Sequence, residues 1–96
     1  MQQGDFETIK ISVEGKEIDY SLARHLSEDL VSTVLDESIL IAWFDGKKGE
    51  EHPSVPECQH KPGWLAYADG HGGRVRVDVD INETEYSFIF ADASAN

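Results

Sequence analysis

Leu22, Leu26, Leu30 and Val34 recur every four residues with Ala23 beside them, while Ser21, Arg24, His25, Glu28, Asp29 and Ser32 fill the other side. That spacing predicts an amphipathic helix over residues 20–35, with the leucine stripe facing inward. Asp19 precedes it as an N-cap, its carboxylate placed to accept from the first free backbone N–H groups. Such a helix is marginal alone in water, so its apolar face must lie on another element.

The rest of the pattern predicts strands. Residues 6–13 alternate, with Ile9, Ile11 and Val13 on one side and Thr8, Lys10 and Ser12 on the other. Gly15 suits a tight turn into a short returning strand at 16–18. Residues 39–44 are apolar almost throughout, the mark of a strand covered on both faces. Lys61-Pro62-Gly63-Trp64 has the composition of a type II turn. Residues 64–68 then read as a strand antiparallel to 39–44. Residues 74–81 alternate sharply, with Val75, Val77, Val79 and Ile81 inward. Asn82-Glu83-Thr84 turns the chain into 85–90, where Tyr86, Phe88 and Phe90 share a face. The predicted class is α+β, one helix on a mostly antiparallel sheet in the order β-β-α-β-β-β-β. At 96 residues the chain makes a single domain, 1–96. Residues 1–5 and 92–96 read as frayed tails, and 45–62 as a long loop punctuated by glycine and proline.

Charge removes several function classes. Nineteen acidic residues against eight basic ones give a net charge of −11, a field that repels nucleic acid and anionic membrane surfaces. The longest apolar run, 39–44, falls far short of the roughly 20 residues a membrane span needs. Residues 1–5 lack the basic and apolar regions of a signal peptide, and the single Cys58 cannot form an internal disulfide. The expected location is the cytoplasm, with neither nucleic acid nor membrane as a partner.

Across the chain, Gly15-Lys16-Glu17-Ile18-Asp19-Tyr20, Ala42-Trp43-Phe44-Asp45, Lys61-Pro62-Gly63-Trp64-Leu65, Tyr67-Ala68, Gly72-Gly73, Glu85-Tyr86 and Phe88-Ile89-Phe90 stand as landmarks. Together they resemble a small uncharacterised archaeal and bacterial family classed as a domain of unknown function. The resemblance covers most of residues 8–91 and implies a compact α+β fold with no assigned activity, substrate or catalytic residue. The family's long loop can carry paired cysteines, whereas here Glu57 precedes Cys58. The hairpin-then-helix opening also resembles β-grasp domains. Their modifier members end in Gly-Gly, while this chain ends Ala93-Ser94-Ala95-Asn96, so carrier chemistry is not implied.

Candidate chemistry gathers around the long loop. His52, Cys58, His60 and His71 offer imidazole and thiolate groups suited to zinc, though without Cys-x-x-Cys or His-x-x-x-His spacing. Cys58 with His60 or His52 would be the pair for a thiol-based enzyme. Asp78-x-Asp80-x-Asn82 mimics the start of a calcium loop, but strand alternation accounts for it, and Glu83 and Ile89 stand where Gly and Glu are required. Trp43, Asp45, Trp64, Tyr67 and Asp69 form the candidate binding set, aromatic groups with carboxylates at the strand ends. No motif points to catalysis or to a cofactor. The expectation is a non-catalytic binding or assembly domain, with a metal-binding module as the alternative. Trp43 and Phe44 must point to opposite faces of their strand, and one helix covers only one face. A homodimer is expected on that ground.

Overall fold

The strongest alternation in the sequence forms the centre of the sheet. In the computed structural model, which describes residues 6–14, 19–54 and 61–93, β1 (Glu7–Val13) is followed by α1 (Tyr20–Val31), β2 (Ser38–Asp45), β3 (Glu50–His52), α2 (Gly63–Gly70), β4 (Gly73–Ile81) and β5 (Thr84–Asp92). The five strands make one sheet in the order β1-β4-β5-β2-β3. All its described pairings are antiparallel except β1 with β4, which is parallel.

β4 and β5 form the expected hairpin. Asn82 and Glu83 carry its two-residue turn at φ 49° and 73°, the doubly left-handed conformation whose twist matches paired strands. The Asp80 carboxylate accepts from Glu83 N at 2.9 Å and helps to hold that conformation. β5 lies between β4 and β2 and is buried on both faces from Tyr86 to Phe90. Tyr86, Phe88 and Phe90 pack with Val75, Val77, Val79 and Ile81 under α1, while Ile89 faces α2 with Ala42.

Asp19 caps α1 as the sequence indicates, accepting from Leu22 N at 3.0 Å. The inward face is rotated from the expected one by about 100°, one residue of helix. Ala23, Ser27, Val31 and, just beyond the helix, Leu35 are buried; Leu26 and Leu30 are half-buried, and Leu22 and Val34 are exposed. Size accounts for the rotation. The sheet face beneath carries Tyr86, Phe88 and Phe90, and small Ala23 and Ser27 allow the helix to approach those rings where leucines would overpack. Ser27 is no polar defect, because its hydroxyl donates to Ala23 O at 2.9 Å.

Two expected elements are corrected. Residues 64–68 are not a strand but part of α2, so the order is not β-β-α-β-β-β-β. Trp64 and Ala68, four residues apart, are buried on the sheet with Leu65 half-buried beside them. A short apolar run does not by itself distinguish this spacing from a strand. Pro62, expected in a type II turn, stands at the N-cap of α2, where its carbonyl accepts from Leu65 N and Ala66 N. The partner of β1 is β4, and the strand expected at 16–18 lies outside the described residues. The stretch 45–62 carries β3, which turns back on β2 as a short antiparallel hairpin. Of the expected tails, residues 1–5 and 94–96 lie outside the described residues, and β5 continues to Asp92.

Trp43 and Phe44 do point to opposite faces, and both are covered. Trp43 packs among the α1-side residues, and Phe44 stacks on Trp64 of α2 with ring centroids 5.9 Å apart. The uncovered face that motivated a homodimer is therefore closed by the second helix. Among the described residues, no helix is long and apolar enough to cross a membrane.

Candidate functional site

The turn after β2 is built around a carboxylate. Asp45 ends the strand, and its Oδ1 accepts from Lys47 N at 3.0 Å and Lys48 N at 3.2 Å, while its carbonyl accepts from Gly49 N at 2.8 Å. Gly46 donates to Glu85 O at 2.9 Å, and a Cβ at Gly46 would stand 2.1 Å from that oxygen. Only glycine allows the turn to sit against β5 so closely.

Held in this way, the turn faces the N-terminal end of α1 across a recess of about 500 Å³. Asp19, Tyr20 and Ser21 form one wall, Lys47 and Lys48 the opposite lip, and Asp45 and Tyr86 belong to the sheet behind. Asp45 and Tyr86 are direct neighbours across β2 and β5. Asp45 is 6% exposed, and every hydrogen bond to its side chain from the described residues reaches Oδ1, leaving Oδ2 unengaged. The Tyr20 hydroxyl is fully buried and so closed to the recess; no partner meets hydrogen-bond geometry among the described residues, but the Arg24 side chain lies near enough to interact with it.

Electrostatics follow from this burial. Loss of solvent pushes the Tyr20 hydroxyl pKa above its ordinary value; the Arg24 guanidinium opposes the rise, while Asp45 and Glu28 add to it. Burial raises Tyr86 as well, helped by Asp45 and Asp19. Both hydroxyls therefore stay protonated through neutral pH, each able to donate and accept. Behind the recess runs an aromatic chain: Tyr20 packs against Phe88 and Trp43, with centroids 5.4 and 5.9 Å away, and Trp43 stacks on His52 at 4.3 Å.

The sheet separates the sequence-derived candidates. Trp43 and Asp45 are on the α1 side, at or beside the recess. Trp64, Tyr67 and Asp69 belong to α2 on the other side. Trp64 is buried against Phe44 beneath the Arg76 guanidinium, whose carbon lies 5.6 Å from its ring. Tyr67 stacks on His71 at 3.9 Å, and Asp69 pairs with Lys61. His52 and His71 are likewise parted, one on Trp43 and the other at the end of α2. Cys58 and His60 lie outside the described residues, so the thiol pair is not placed. Among the described residues no three His, Cys, Asp or Glu groups gather as a metal site.

Sequence reasoning missed Tyr20, Lys47, Lys48 and Tyr86 as site residues. Tyr20 reads only as the start of the helix, and Tyr86 as one of three aromatics sharing a strand face. A second depression of about 430 Å³ lies between Val13 and the β4–β5 turn. Its lining, which includes Asp80, Asn82 and Glu83, has no aromatic group, and Asp80 is already engaged by Glu83 N. The recess at Asp45 is the better candidate.

A family model described as a domain of unknown function (DUF5619) matches residues 6–90. The chain belongs to this family. This DUF5619 chain is an α+β domain with the sheet order given above, and the family description assigns no activity. Among solved structures it is similar to the protein AF1514 from Archeoglobus fulgidus, described as a novel non-family-model protein. The two are 26% identical with a TM-score of 0.71, over 92% of this chain and 95% of that one. No curated protein matches.

Proposed function

We propose that this DUF5619 domain is a small non-catalytic binding module of the cytoplasm, and that its ligand occupies the recess between α1 and the β2–β3 turn. The carrying observation is Asp45, a carboxylate only 6% exposed that lines the recess and whose Oδ2 takes no hydrogen bond from the described residues. A carboxylate oxygen in so buried a place bonds more strongly to a ligand's donor than an exposed one does. The cavity volume of about 500 Å³ suits a small molecule. Aromatic packing behind Tyr20 fixes the wall in place, which lowers the entropic cost of binding. An amide-resolved NMR screen against mixed small polar compounds tests this reading. Saturable shifts should concentrate at Tyr20, Ser21, Lys47, Lys48 and Tyr86; binders that shift only α2 and its neighbours would refute it.

A further inference from the structure

β1 stands at one end of the sheet order, with β4 as its single strand neighbour among the described residues. One bond fixes which of its main-chain groups are left over. Val13 O accepts from Asn82 N, just past β4, at 3.1 Å, so Val13 turns its main chain toward β4. Alternate residues of a strand point the same way, so Glu7, Ile9 and Ile11 do likewise. Thr8, Lys10 and Ser12, all exposed, therefore turn their N–H and C=O groups outward. Such a row is a template for another strand. The other edge of the sheet differs: β3 has 3 residues, among them Glu50 and Glu51, and short charged edges resist pairing.

We infer that a second copy of this chain pairs with that edge, β1 against β1, antiparallel about a two-fold axis at Ile11. Hydrogen-bonded pairs must come from the outward set, which leaves few registers. With Ile11 on the axis, Lys10 meets Ser12 of the other copy, and Thr8 meets Glu14. On the α1 side, Ile11 meets Ile11 and Ile9 meets Val13, side chains that are only half-buried within one copy. β-branched pairs then line one face of the joined strands. An axis at Lys10 sets two lysines directly opposite, and one at Ile9 sets Glu7 against Ile11, both unfavourable. An axis at Ser12 carries Ile9 past the end of the partner's β1. Charge supports the same choice. Lys10 of each copy lies diagonal to Glu14 of the other, and Asp80 stands beside Ser12 in the next strand. Each copy thus brings a cation to the other's carboxylates.

Sedimentation equilibrium of the whole chain decides this, with amide exchange as the second readout. A monomer–dimer equilibrium is expected, tightening as salt screens the charge of −11 on each copy. The Thr8, Lys10 and Ser12 amides should exchange fast at high dilution and slowly in the dimer. Ser12→Pro removes an outward N–H that β4 does not use, a change that an edge strand tolerates, and should abolish the dimer. Lys10→Glu, at an exposed position, sets like charges together twice across the axis and should weaken the dimer at least about ten-fold. It carries the test should Ser12→Pro fail to fold. A monomer at every concentration and salt overturns the pairing. So does a dimer that the folded variants leave unchanged. Slow exchange of the three amides in the monomer also overturns it, since the chain then covers its own edge.

Discussion

Trp64 of α2 stacks on Phe44 of β2, ring planes 21° apart and centroids separated by 5.9 Å. This pair closes the sheet face that α1 leaves open, joining Ala42, Ala68 and Ile89 in a second, smaller core. Trp64→Ala should cost about 3–5 kcal/mol in denaturant unfolding, as for large buried aromatics generally. A loss below about 1 kcal/mol would mean that α2 is not needed to cover the sheet.

The phase of α1 is tested by contrast. Val31 is fully buried and Leu22 is 46% exposed. Val31→Ala should cost about 2 kcal/mol through the lost methyls and the cavity left behind. Leu22→Ala should stay within about 0.5 kcal/mol, as an exposed substitution. The reverse order of costs would restore the leucine stripe as the inward face.

Those two elements show what was legible. Alternation in β1, β4 and β5 and the Asp19 cap could be read directly, because each is a local property of the chain. The orientation of α1 could not, since it depends on the bulk of Tyr86, Phe88 and Phe90 beneath the helix, and hydrophobicity alone favours the leucines. The parallel pairing of β1 with β4 is non-local, and nothing within residues 6–13 encodes it. In the site, Trp43 and Asp45 stood out as an aromatic and a carboxylate at a strand end. Tyr20 and Tyr86 did not, because one reads only as the start of a helix and the other as one of three aromatics sharing a strand face.

Gly46 links fold and recess. Its missing side chain lets the turn lie on Glu85 O. Gly46→Ala forces the two backbones apart and should destabilise the protein by about 1–3 kcal/mol. It should also move the Lys47 and Lys48 amide resonances, since both bond to Asp45. Native-like stability with unmoved resonances would contradict this packing.

Both recess tyrosines have folded-state pKa values raised above the ordinary 10.0. The native protein therefore keeps its tyrosine protons after the unfolded chain has begun to lose them. Their contribution to stability is complete below about pH 10 and is lost as pH rises through the raised values. Unfolding midpoints should fall above about pH 10, and less steeply in Tyr20→Phe. An identical decline in that variant would show that Tyr20 does not titrate this way.

The central claim is that a small ligand fills the recess at Asp45, and a crystal structure of the protein with a binder from the amide-resolved screen tests it most directly. The account expects a donor of that ligand within about 2.7–3.2 Å of Asp45 Oδ2. A binder seated elsewhere, or a recess filled by the protein's own chain, would contradict it.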